Sequence, residues 1–180
     1  MVEELADDPP DRQVYLVVHD YGLGALWWWV RASSPEEIAA EFAEVEVISA
    51  PDRIALARTW NLKEVDIEYA KRRELADLHE QRRRQREDPA FGRLFGKARV
   101  YLRLPDEEGE GTQWLFELGP DGRRLRQIER LANGTSLTTD LTNWPLNPPF
   151  DLGDPWLAAH EISKAEFEQV WEQGPPALDT

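Results

Sequence analysis

The 180-residue sequence predicts an α+β protein of two small modules joined by a charged helix, and three observations carry that expectation. Runs rich in β-branched and aromatic residues, broken by glycine turns, recur in both halves and read as paired strands. Two Ser-x-x-Glu signatures, Ser34 to Glu37 and Ser163 to Glu166, each precede a helically spaced apolar set. Charge is uneven: residues 1–60 hold 12 acidic and 4 basic side chains, residues 61–99 hold 8 and 11, and residues 100–180 hold 15 and 6, so a mildly basic middle separates two acidic ends.

The first module, residues 12–67, reads β-β-α-β-α. RQVYLVVHDY is a strand, Gly22 and Gly24 break it, and ALWWWVRA returns as the second arm of an antiparallel hairpin. Successive strand side chains face opposite ways, so Trp27 and Trp29 share one face and Trp28 takes the other. Three consecutive tryptophans therefore cannot form one aromatic surface, and at least one face needs a cover. The next segment supplies it: Ser34 as N-cap, Pro35 at the first helical position, Glu37 closing a capping box, and Ile38, Phe42 and Val45 along the buried face. EVEVIS then reads as a third strand, DRIALARTW after Pro51 as a short helix, and EVDI as a short extended segment.

Residues 68–97 form the connector. Glu68 to Glu87 reads as one solvated helix with i to i+4 ion pairs, Glu68 with Arg72 and Glu80 with Arg84, and a narrow apolar stripe of Ala70, Leu75 and Leu78. Pro89 ends it, and AFGRLFG adds a small apolar plug. The second module, residues 98–173, is expected as a four-stranded antiparallel meander closed by a helix. ARVYLRLP, QWLFEL, RRLRQIERL and TSLTTDL are its strands; DEEGEG, GPDG and Asn133-Gly134 supply the turns. A proline-rich crossing, NWPLNPPFDLGDPW, leads to a last helix that opens at Ser163 with Glu166 as capping partner and buries Phe167, Val170 and Trp171.

Composition narrows the chemistry. The chain has no cysteine, so disulfides, thiolate catalysis and cysteine-ligated zinc are unavailable. The first residues are acidic and polar, which predicts no secretory leader, and no apolar stretch approaches the roughly 18 residues of a membrane span. A reducing cytoplasm is the expected setting. A net charge of −14 repels nucleic acid and suits a basic protein partner.

Of the three histidines, His19, His79 and His160, the first could join Asp20 and Tyr21 as a general acid-base group. Adjacent strand residues point apart, however, so a structural role at the turn is the stronger expectation for His19. No H-x-x-x-H or H-E-x-x-H pattern occurs, DEEGEG lacks the ligand alternation of a calcium loop, and GLGA is followed by a strand rather than a phosphate-binding helix. No metal or cofactor is expected. Arg82, Arg83, Arg84 and Arg86 form a local basic patch that could contact nucleic acid, although Glu80, Glu87 and Asp88 border it.

Two stretches carry a resemblance. Asp121-Gly122, Arg126, Ile128, Glu129, Asn133-Gly134 and the run Glu161, Ile162, Ser163, Glu166, Phe167, Glu168, Val170 and Trp171 resemble a small bacterial domain that ends in an EIS-x-x-EFE-x-VW helix, over about residues 98–173. The run VVHDYGLGALWWW is similar to actinobacterial proteins of unassigned activity. The first resemblance implies a sheet-plus-helix fold and a setting among toxin and immunity genes; it carries over no catalytic residue. Together these readings favour a non-enzymatic acidic module that masks a basic partner, as an immunity or antitoxin protein does. Asp106, Glu107, Glu108 and Glu110 are the expected contact carboxylates, and Trp144 and Trp156 the expected anchors.

Overall fold

A computed structural model of the chain describes residues 12–105, 111–142 and 147–174. The protein is α+β and divides into two compact units, residues 1–84 and 85–180.

The first unit is a four-stranded mixed sheet with a helix on each face. Its elements run β1 (Gln13–Asp20), β2 (Ala25–Ala32), α1 (Pro35–Glu41), β3 (Glu46–Ile48), α2 (Pro51–Ala57), β4 (Glu64–Asp66) and α3 (Ile67–Ala70), and the strand order is β3-β1-β2-β4. The expected hairpin is present, with Trp27, Trp28 and Trp29 opposite Val18, Val17 and Leu16. That register splits the tryptophans as strand alternation requires. Trp28 joins Val17, Val30, Ile38, Phe42, Val65 and Leu75 in one cluster. Trp27 and Trp29 pack on the other face with Leu16, Val18, Ile48, Ile54 and Ala57. Both faces are thus covered, one by α1 and its following segment, the other by α2.

Three local expectations need correction. Helix α1 ends at Glu41 and Phe42 is its C-cap in extended conformation, so Val45 reaches the Trp28 cluster from the segment after the helix rather than from its face. Ser34 accepts from the Glu37 amide at 3.2 Å, but the Glu37 carboxylate accepts from the Ser33 amide, one residue beyond the N-cap, so the reciprocal capping box does not close. The segment expected as one helix from Glu68 to Glu87 is interrupted: α3 stops at Ala70, a run of turns follows, and α4 (Ala76–Glu87) begins anew. The break serves packing. Leu75, the last residue of the turn run, is 2% exposed in the Trp28 cluster. Glu80 pairs with Arg84 as expected, whereas Glu68 pairs with Lys71, and Arg72 donates instead to the Glu68 carbonyl oxygen.

The second unit holds the expected meander: β5 (Val100–Pro105), β6 (Gln113–Leu118), β7 (Arg124–Arg130) and β8 (Ser136–Asp140), each antiparallel to its sequence neighbour. One face packs Leu102, Leu104, Phe116 and Leu118 against Leu94, Leu152 and Leu157. Leu94 belongs to the AFGRLFG plug. Leu157 belongs to α5 (Pro155–Ala159), a helix the proline-rich crossing was not expected to contain. Its signal is there in retrospect: Asp154 caps the Trp156 amide and Pro155 occupies the first turn. The opposite face packs Tyr101, Leu115 and Ile128 against Phe167, Val170 and Trp171 of α6 (Lys164–Trp171), which opens with the full capping box between Ser163 and Glu166. Gly122, at φ +81°, turns between β6 and β7 where a Cβ would stand 2.3 Å from the Phe150 carbonyl oxygen, so only glycine fits.

Candidate functional site

Trp156 is the expected partner-contact residue that falls within the described chain. Asp106, Glu107, Glu108, Glu110 and Trp144 lie outside the described residues. Helix α5 fixes Trp156 from three directions. The Asp154 carboxylate accepts its amide at 2.9 Å, Leu157 and Ala158 behind it are buried, and the ring packs on His160 at a centroid distance of 4.4 Å. His160 is itself anchored, since its Nδ1–H donates to the Trp156 carbonyl oxygen at 2.8 Å. A carbonyl can only accept, which places the proton on Nδ1. The indole remains 44% exposed. An aromatic side chain already packed on a neighbouring ring and open to solvent loses less entropy than a free one when a second surface covers it.

The structure separates the His19 group into different tasks. His19 Nδ1–H donates to the carbonyl oxygen of Glu44 at 2.9 Å, and Glu44 adopts a left-handed φ of 54°. Asp20 turns the other way, its carboxylate accepting the Gly22 amide at 2.8 Å to close the hairpin turn. Tyr21 lies with its ring centroid 6.3 Å from that of His19 and is exposed. No side-chain hydrogen bond joins His19 to Asp20 among the described residues, so the orienting carboxylate of a general base is not in place. The tip carries Leu23 at 98% exposure. His79 follows the same pattern, with Nδ1 on the Glu41 carbonyl at 2.9 Å.

The arginine patch is also redistributed. Arg82 is 4% exposed, and its Nε and Nη2 both donate to the Phe42 carbonyl oxygen, at 3.2 and 3.0 Å. It caps the end of α1 and is unavailable to a phosphate. Arg83 and Arg84 share the Glu80 carboxylate at 2.8 and 3.0 Å, and their hydrogen bonds hold that carboxyl down to about 2. Arg86 is exposed. The expected four-arginine surface is therefore one structural arginine and a partly neutralised helix face.

One polar cluster escaped the sequence reading. On the α6 face of the second sheet, Arg126 donates to Glu117 and to both carboxylate oxygens of Glu168, at 2.6 and 3.1 Å for the latter. Its guanidinium also lies over the rings of Phe167 and Trp171, 5.0 and 4.7 Å from their centroids. Glu117 is 8% exposed and accepts the Tyr101 hydroxyl at 3.2 Å. The hydrogen bond from Arg126 holds the Glu168 carboxyl below its usual range, and burial followed by the Glu117 charge raises the Tyr101 hydroxyl. Arg126, Phe167, Glu168 and Trp171 belong to the resemblance, but Tyr101 and Glu117 do not, and the cross-strand register that aligns Glu117 with Arg126 was not visible. The bonds from Arg126 to Glu117 on the sheet and to Glu168 on the helix fasten α6 to the sheet.

Among the described residues no three His, Asp or Glu side chains gather as a metal cage, and no helix is long and apolar enough to cross a membrane. Compared with family models, with curated proteins and with solved structures, the chain matches none.

Proposed function

We propose that the protein is a non-catalytic binding module that masks a basic protein partner in a reducing cytoplasm, in the manner of an immunity or antitoxin protein. The observation that carries this reading is Trp156, preorganised by Asp154 and His160 and 44% exposed on a chain of net charge −14. A rigid aromatic anchor supplies contact area at low entropic cost, and a field of carboxylates accelerates encounter with a basic surface. Asp106, Glu107, Glu108 and Glu110 supply the densest run of such carboxylates, with Trp144 as a second anchor. The resemblance of the C-terminal half to a domain from toxin and immunity settings supports the same reading.

The test is a parallel capture from native lysate with the wild-type chain and Trp156→Ala as baits, at low and moderate salt and with nuclease treatment. The expected result is one basic protein that survives nuclease, is lost at moderate salt, and is recovered at least tenfold less with Trp156→Ala. Recovery of no such protein, or equal recovery by both baits, would overturn the reading.

A further inference from the structure

The α6 face of the second sheet carries three arginines, Arg103, Arg126 and Arg130, because cross-strand register puts each beside an inward-facing neighbour on that face. Row by row, Arg126 lies opposite Glu117 and Asp140, Arg103 opposite Leu115, and Arg130 opposite Gln113 and Ser136. Only the first row contains carboxylates. Arg126 is accordingly tied down by Glu117 and Glu168.

Arg103 and Arg130 are not. Among the described residues neither guanidinium is held by a carboxylate, and the Nε of Arg103 is buried with no hydrogen-bond partner. Both arginines line one cleft of about 290 Å³, floored by the sheet at Ser136 and walled by Glu166 and Gln169 of α6 and by Gln173 just after it. The Glu166 carboxylate accepts the amide and hydroxyl of Ser163 at 2.9 and 2.8 Å, and the Arg103 charge adds to these bonds in lowering its pKa without a direct ion pair. The cleft thus presents two guanidinium forks, a serine hydroxyl and two glutamine amides, with one carboxylate at its wall.

We propose that this cleft binds a small organic acid through its carboxylate, held by Arg103 and Arg130. The planar forks match a carboxylate bidentately. The volume lies at the lower end of small-ligand pockets, which sets the size of the guest. Glu166 decides between anions: phosphate concentrates its charge in one tetrahedral group close to that carboxylate, whereas succinate and citrate spread theirs over separate carboxylates, of which one sits between the two forks. Gln169 and Gln173 would hydrogen-bond the polar remainder of the acid.

The test is calorimetric titration of the full chain with succinate, citrate and inorganic phosphate at constant ionic strength. Three variants follow: Arg130→Gln, Arg103→Lys, and Arg93→Gln as an exposed arginine outside the cleft. Arg103→Lys keeps the charge and removes the Nε donor, so it separates the fork from a general electrostatic effect. The expected result is saturable binding of succinate or citrate, tighter than phosphate, weakened about tenfold or more by Arg130→Gln and by Arg103→Lys and unchanged by Arg93→Gln. Far-ultraviolet circular dichroism of each variant establishes that it is folded. No saturable heat with either acid, phosphate binding more tightly than both, or equal weakening by Arg93→Gln would overturn the proposal.

Discussion

Replacing Arg126 by Met tests whether the cluster under α6 is one coupled unit. The side chain is 21% exposed and Glu117 10%, so its loss strands a nearly buried carboxylate that keeps only the Tyr101 hydroxyl and, at 3.4 Å, Arg99. Breaking a buried pair in this way costs about 3–5 kcal/mol. Residual exposure and the nearby Arg99 put this case at the lower end. The guanidinium also leaves the faces of Phe167 and Trp171, a further ~1 kcal/mol, which the methionine stem partly replaces. Arg126→Met should therefore destabilise the second unit by about 3 kcal/mol. Amide hydrogen exchange of β6 and β7 in the intact chain is the right assay, since it reads that sheet alone. Adding Glu117→Gln removes the stranded charge while keeping an acceptor for Tyr101, and should recover about half of the loss. If the double variant costs the sum of the two single ones, Arg126 and Glu117 do not act as a unit.

Three shorter predictions accompany it. Glu168 has its carboxyl lowered by the hydrogen bond from Arg126, so its contribution is complete above the unfolded value of about 4.3 and fades as pH falls through the lower folded value; acid unfolding of wild type and Glu168→Gln should show a flatter acid limb in the variant. Gly122→Ala forces a Cβ to within 2.3 Å of the Phe150 carbonyl oxygen at φ +81° and should cost more than about 2 kcal/mol in urea denaturation, whereas Gly134→Ala, with open space around it, should cost only the roughly 1 kcal/mol of the backbone conformation. Ser34→Ala removes the acceptor for the Glu37 amide and should cost about 1 kcal/mol, seen as faster exchange of the α1 amides.

Elements governed by local rules could be read from the sequence. The opposed tryptophans follow from strand alternation alone, the Ser163 capping box from two residues three apart, and the meander from turns that return each strand beside its neighbour. What could not be read depends on partners distant in sequence. Val30 pairs in parallel with Val65, and nothing in EVDI announces which strand it will join. Arg82 looks like its neighbours until the Phe42 carbonyl comes within 3.0 Å of it. The break after Ala70 escaped because the charged run 68–87 has good helix formers throughout; the burial of Leu75, a tertiary demand, overrides them. The Arg103 and Arg130 cleft was hidden for the same reason, as it forms only once all four strands are in register under α6.

The two sheets differ in the order in which they can be completed. In the second, each strand bonds to the strand just made, so the ladder can close progressively with short loops and little entropy to overcome. In the first, the outer edge of β2 stays open until the chain from Ser33 to Lys63 has been laid down and β4 arrives alongside it. During synthesis β2, which carries all three consecutive tryptophans, therefore emerges with unpaired amides and an apolar face before its parallel neighbour exists. Of the two units, the N-terminal one therefore offers the longer-lived open strand edge, and a longer delay before Glu64–Asp66 is made lengthens the interval in which that edge can pair wrongly.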